Sequence, residues 1–140
     1  MTSGTAYNKP LPTITPLTAP YWEGAKHHEL RLQKCDACGH VWFPPSYCCP
    51  KCLGDDLTWT KMSGRAKLWS WLDMWQLYYR GFAEERPYLV AYVELEEGPR
   101  LMSTIVDADR STLRCDMPLE VVFDDVTPDV TLPKFRAVSK

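Results

Sequence analysis

Cys35-Asp36-Ala37-Cys38-Gly39-His40 and Cys49-Pro50-Lys51-Cys52-Leu53-Gly54 are the two segments from which the fold of this chain can be read. Each carries a C-x2-C pair, and ten residues separate the pairs. A two-residue gap lets one tight turn aim both thiolates at a single ion about 2.3 Å away, so two such pairs build a tetrahedral cage. Gly39 supplies the unhindered backbone that such a turn needs. Catalytic zinc keeps three protein ligands and an open position for water, whereas four thiolates close the shell. Cys35, Cys38, Cys49 and Cys52 are therefore expected to hold a structural Zn2+. A segment this short buries too little apolar surface to order itself, and metal binding supplies the missing free energy.

Cys48 is adjacent to Cys49, and only one of them can complete the second knuckle comfortably. Cys49 leaves the two-residue gap to Cys52 and precedes Pro50, whose fixed φ suits the turn. Cys49 is read as the ligand and Cys48 as a bystander. His40 is read as a surface histidine, and Cys115 as a small, partly buried side chain.

Outside the knuckles, the composition narrows the classes. With 140 residues and 45% hydrophobic content, the chain is globular, either one domain or a metal module joined to a compact one. A net charge of −2, with neither half basic, argues against a nucleic-acid partner. No apolar run approaches the ~20 residues of a membrane span, and no signal-peptide pattern opens the chain. Thiolate ligands point to a reducing compartment, so a cytoplasmic location is expected. Six Trp and seven Tyr exceed what a small core hides and suggest a partner surface, with a close-packed aromatic core as the rival.

The hydrophobic pattern is mainly β. Residues 1–20 hold Pro10, Pro12, Pro16 and Pro20 and should form an extended arm, disordered or laid over a neighbour. Tyr21 to His28 reads as a short helix with Pro20 in its first turn. Strands are expected at Leu30–Gln33, leading into the first knuckle, and at Val41–Phe43, leaving it. The helix and ribbon occupy 21–60. From 61 to 140 the period is two, with strands at 66–72, 88–95, 100–106, 118–123 and 134–138. In the first of these, Leu68 and Leu72 should share one face, with Trp69 and Trp71 on the other. Five short strands and one long loop match a small Greek-key barrel of the oligonucleotide/oligosaccharide-binding (OB) type, although an open sheet fits nearly as well.

Taken in order, several motifs resemble a known family. They are Tyr21-Trp22-Glu23-Gly24, the Cys35-x2-Cys38-Gly39 knuckle, Phe43-Pro44-Pro45, Cys49-Pro50-x-Cys52, Ser63-Gly64-Arg65 and Val93-Glu94-Leu95-Glu96-Glu97-Gly98. The family pairs a rubredoxin-like zinc ribbon with an OB barrel and associates with acyl-CoA enzymes. Two departures stand out: Ala66 where a second glycine often follows the arginine, and Leu53 between Cys52 and its glycine. The resemblance implies a non-catalytic accessory subunit of a thiolase-type complex performing Claisen or retro-Claisen chemistry on acyl-CoA thioesters. Its partner would be a larger thiolase-fold subunit in a two-plus-two assembly, with acyl-CoA at the shared site. Relatives of this kind include the small subunit of benzoylsuccinyl-CoA thiolase in anaerobic toluene breakdown, and the aromatic richness of this chain makes that substrate worth testing.

The residues agree with that role. No Ser-His-Asp set and no phosphate-cradling glycine loop is present, and all three histidines fall within residues 27–40. The long loop from Asp73 to Arg86 carries Trp75, Tyr78, Tyr79, Arg80 and Phe82. Long loops rich in large apolar groups are usually functional, so the aromatics are expected to wall a partner's acyl pocket, with Arg80 pairing a carboxylate or CoA phosphate. The plainer account is a lid over the barrel's own core with Arg80 solvated. Arg65, Lys67, Lys134 and Arg136 are weighed as phosphate contacts and read as solvated strand cations. Two rival functions remain at this level: a nucleic-acid-binding ribbon and barrel, and an iron tetrathiolate electron carrier.

Overall fold

A computed structural model describes residues 7–138, so the parts of the expected arm and barrel at 1–6 and 139–140 lie outside the described residues. Helix α1 (Ala19–Lys26) begins two residues before the stretch expected from sequence, with Thr18 as its N-cap and Pro20 in its first turn. Proline is tolerated there because the first-turn N–H groups have no partner inside a helix. Tyr21, Gly24 and Ala25 form the buried side of α1.

The ribbon is a three-stranded antiparallel sheet of β1 (Arg31–Cys35), β2 (Val41–Trp42) and β3 (Leu57–Lys61), in the order β2-β1-β3. β3 has no counterpart among the strands expected from sequence. Its Leu-Thr-Trp-Thr-Lys run pairs residue for residue with β1, from Cys35↔Leu57 to Arg31↔Lys61. β-Branched and aromatic residues suit that half-buried pleat.

The remaining strands are β4 (Arg65–Met74), β5 (Tyr88–Leu95), β6 (Arg100–Ser103), β7 (Pro118–Asp125) and β8 (Thr131–Ala137). They form one curled antiparallel sheet in the order β6-β5-β4-β7-β8. Its two edges approach each other at a parallel bridge between Ile105 and Phe135. There the Phe135 amide donates to the Thr104 carbonyl at 3.0 Å, and the Val106 amide donates to the Phe135 carbonyl at 2.8 Å. The result is the partly open five-stranded barrel of the OB fold. β6 stops at Ser103, short of the expected Val106, and β8 starts at Thr131, ahead of the expected Lys134.

One expectation about β4 is overturned. Leu68 pairs with Val93 and Ser70 with Tyr92, so Trp69 is an extra residue in a β-bulge. A bulge breaks strict alternation, so residues beyond it exchange faces. Leu68 is fully buried, whereas Leu72 turns outward and is 49% exposed. Trp71 turns inward and packs against the core, while Trp69 remains on the surface.

Ribbon and barrel share one core. Tyr21, Leu30 and Leu32 belong to the same buried cluster as Leu68, Val93, Leu119 and Phe135. The Met62 amide donates to the Leu30 carbonyl at 2.7 Å, and His28 stacks on Phe123 and meets the Asp125 carboxylate at 3.2 Å. The metal module is thereby fixed to one side of the barrel.

Candidate metal centre and exposed loop

The two knuckles are built alike. In the first, the Cys35 amide donates to the His40 carbonyl at 2.8 Å and the Gly39 amide to the Cys35 carbonyl at 2.8 Å. In the second, the Cys49 amide donates to the Gly54 carbonyl at 2.7 Å and the Leu53 amide to the Cys49 carbonyl at 2.8 Å. Both turns need a left-handed residue after the second cysteine, Gly39 at φ 79° and Leu53 at φ 65°. Glycine adopts that conformation freely and leucine does not.

These turns bring Cys35, Cys38, Cys49 and Cys52 together, with all four Sγ atoms within 4.8 Å of one another. Two of the separations, Cys35–Cys52 and Cys38–Cys49, are 3.6 Å. Four sulfurs about 2.3 Å from one tetrahedral zinc would stand about 3.8 Å apart, so the set fits that ion. Disulfides are excluded, since an S–S bond is about 2.05 Å. Burial pushes the Cys49 thiol up, but the amides of Cys52 and Lys51 and the neighbouring thiols outweigh it and bring it down to about 7. The Gly54 amide favours the Cys52 thiolate, yet hydrogen bonds with the other cysteines push that thiol up to about 12. The cluster thus already favours negative charge at one sulfur. The donor set is all thiolate and leaves no open position, which marks structural zinc.

Cys48 is not among the gathered sulfurs. Its backbone matters instead: Ser46 Oγ donates to the Cys48 carbonyl at 2.6 Å, and Trp42 Nε1 donates to Ser46 Oγ at 3.1 Å. Buried Gln33 completes the bracket, with its Nε2 donating to the Ser46 carbonyl at 2.9 Å and its Oε1 accepting from the Ser46 amide at 2.8 Å. This bracket sets the approach to Cys49. No local pattern marks Gln33 or Ser46; a polar residue at an inward position of β1 was the only available signal. His40 stacks on Trp42 with ring centroids 5.7 Å apart. Cys115 is exposed, contrary to expectation, and its thiol donates to the carbonyl of the bulged Trp69 at 3.7 Å.

The long β4–β5 connection contains a short 3-10 helix at Arg80–Glu85. Trp75, Tyr78 and Tyr79 stand 68%, 67% and 55% exposed. Phe82 is half-buried and stacks on Tyr88. The five loop residues singled out from sequence therefore separate: three aromatics and Arg80 face solvent, while Phe82 turns to the barrel. Arg80 has no carboxylate partner among the described residues, whereas the strand cations are paired and not simply solvated. Arg65 meets Glu96, Lys67 meets Glu94, Lys134 meets Asp124 and Arg136 meets Glu120.

Comparison with known proteins gives concordant matches. Residues 22–58 match the family described as ChsH2, rubredoxin-like zinc ribbon domain, and residues 59–124 match ChsH2, C-terminal OB-fold domain. A probable enoyl-CoA hydratase alpha subunit of Thermomonospora curvata is 34% identical over 91% of this chain, which spans only 40% of that subunit's length. A DUF35 domain-containing scaffold protein of Methanothermobacter thermautotrophicus is 36% identical, covering 72% of this chain and 76% of the scaffold. Benzoylsuccinyl-CoA thiolase subunit BbsA of Thauera aromatica is 30% identical, covering 77% of this chain and 67% of that subunit. Among solved structures, the Ltp2-ChsH2(DUF35) aldolase contains a chain that superposes with a TM-score of 0.81 at 32% identity, covering 91% of this chain and 98% of that one.

Proposed function

This chain belongs to the ChsH2/DUF35 family of zinc-ribbon and OB-fold proteins, and from that premise we propose that it is a non-catalytic accessory subunit of an acyl-CoA enzyme complex. The observation that carries the proposal is the loop after β4, which holds Trp75, Tyr78 and Tyr79 largely in water. Clustered exposed aromatics mark surfaces that are covered by a partner, where such residues supply most of the binding energy. The four thiolates are committed to a closed cage, so the metal offers no position for a substrate. Paired strand cations do not form the continuous basic track that nucleic-acid binding requires.

Relatives named as thiolase, aldolase and hydratase components support a partner that acts on CoA thioesters. Within that class the reading is a larger thiolase-fold subunit, two copies of each chain, with benzoylsuccinyl-CoA as the first substrate to try. Trp75, Tyr78, Tyr79 and Arg80 would line the shared acyl-CoA mouth. Arg80 is exposed and has no carboxylate partner among the described residues, which leaves its guanidinium available for a carboxylate or phosphate.

Co-expression with a thiolase-like protein encoded in the same genome tests the proposal by co-elution and turnover. The two should elute together and turn over the thioester, while this chain alone should not. Replacing Trp75 and Tyr78 together by Ala should weaken association by more than about tenfold, at ~1–2 kcal/mol per lost aromatic anchor. Thioester cleavage by the purified chain on its own would overturn the accessory role.

A further inference from the structure

A cavity of about 530 Å³ opens at the end of the barrel where β5 begins, beside the closure between the β6 and β8 edges. None of the four metal-site cysteines lines it, and of the exposed-loop residues named above only Phe82 reaches it. Its volume falls within the range of small-molecule sites. The floor is apolar: Leu89 and Ile105 are buried, and Phe82 and Tyr88 stack with ring centroids 4.5 Å apart.

The N-terminal arm forms one wall. Lys9 pairs with Glu85 and lies over the Phe82 ring, 5.0 Å from its centroid. Gly81 permits this approach, since a Cβ there would lie 2.5 Å from the Asn8 carbonyl oxygen. The arm is therefore laid directly on the 3-10 helix of the β4–β5 loop.

Three cations stand around the cavity. Lys9, Arg110 and Lys134 line the cavity, each paired with one carboxylate, so the charges balance and what the wall offers is spare donors. The carboxylates that hold Arg110 and Lys134 are Asp73 and Asp124, each at 2.7 Å, and neither lines the cavity. Arg110 uses its Nε for Asp73, leaving its terminal nitrogens for another acceptor. Lys134 is 22% exposed and has three ammonium hydrogens, one of which serves Asp124. Cations that keep spare donors beside an apolar floor suit an anion with a hydrophobic body.

The geometry points to a binding site for a small organic carboxylate with an aromatic body, its ring over the floor of Tyr88, Leu89 and Ile105 and its carboxylate at Arg110 and Lys134. This site goes beyond the accessory role and is independent of it, because every wall comes from this chain. The rival account is a water-filled gap between arm and barrel.

Titrating the isotope-labelled, zinc-loaded full chain with 3-phenylpropanoate and with its neutral amide separates the two by backbone NMR. The acid should shift the amides of Leu89, Thr104 and Lys134 saturably, and the amide should bind about tenfold more weakly, the loss of a charge-assisted contact. Lys134→Gln and, separately, Arg110→Gln should each weaken the acid about tenfold. Arg110 lies in an exposed 3-10 turn, so its variant stays informative if the β8 variant unfolds. Lys26→Gln, on the last turn of α1, should leave the titration unchanged. Equal affinity for acid and amide, shifts centred on another face, or no saturation up to about 10 mM would each overturn the site.

Discussion

The ribbon's own buried cluster consists of Cys35, Trp42 and Cys49, with Leu57 packed beside it. The barrel lies in a cluster of fourteen buried residues, with Phe135, Leu68, Val93 and Leu119 among its most enclosed. Two of the three residues in that cluster are metal ligands, so the ion takes the place of an apolar core there. The barrel instead rests on buried aliphatic and aromatic side chains. The halves are joined because Tyr21, Leu30 and Leu32 reach from helix and ribbon into the barrel's cluster. Two neighbouring units of one chain are thus stabilised by different physics and still share an interface.

Metal removal should break the comparison most sharply. Structural zinc contributes ~10 kcal/mol or more to folding of such modules, so chelation, or Cys35→Ser, should unfold the ribbon. Far-UV circular dichroism should lose part of its signal while amides of β5 and β7 stay protected in hydrogen exchange. Simultaneous loss of both units would show that the barrel cannot stand without the ribbon.

Phe135→Ala is the converse experiment. Truncating a fully buried phenylalanine costs about 3–5 kcal/mol. The barrel's melting transition should fall steeply while one equivalent of zinc remains bound, measured by a chromophoric chelator. Zinc release in step with the barrel would mean that the shared core dominates.

The knuckles sharpen the comparison within the ribbon. Leu53 holds at φ 65° the position that Gly39 fills at φ 79° in the other turn. Leu53 is 74% exposed, so its side chain contributes little packing against that strain. Leu53→Gly should stabilise the zinc-bound form by ~1 kcal/mol, and Gly39→Leu should destabilise it by at least as much. Thermal melts of the two variants read the difference directly.

The smallest effect concerns the seam. Asp125 is held below its ordinary value of 3.8, first by the Thr131 hydroxyl and then by His28. A carboxylate with a depressed folded-state pKa adds stability above its unfolded value, and that increment is lost as pH falls through the folded value. Asp125→Asn should therefore lower stability slightly through the neutral range and converge with the parent as pH falls below 3.8, which flattens the profile there, by denaturant titration across pH.

Much of this was legible locally. Cysteine spacing and the Pro20 helix start both act within a few residues, and each was found where its chemistry indicated. β3 was missed because five residues of mixed polarity carry a weak period unless β1 is already in place. The faces of Leu72 and Trp71 were exchanged because a bulge depends on how β4 meets β5, and nothing in residues 65–74 alone announces it. The bracket of Gln33 and Ser46 spans thirteen residues, and the barrel-mouth cavity draws on segments from residues 7 to 134.

By itself, the order of residues determined that four thiolates would meet at one ion and that alternating strands would follow, because knuckle turns and strand pleats are short-range geometry. Only the tertiary structure decided which aromatics face water, which cations keep spare donors and where the arm rests. Those outcomes depend on strand register and on contacts between distant segments, which no local rule of spacing encodes.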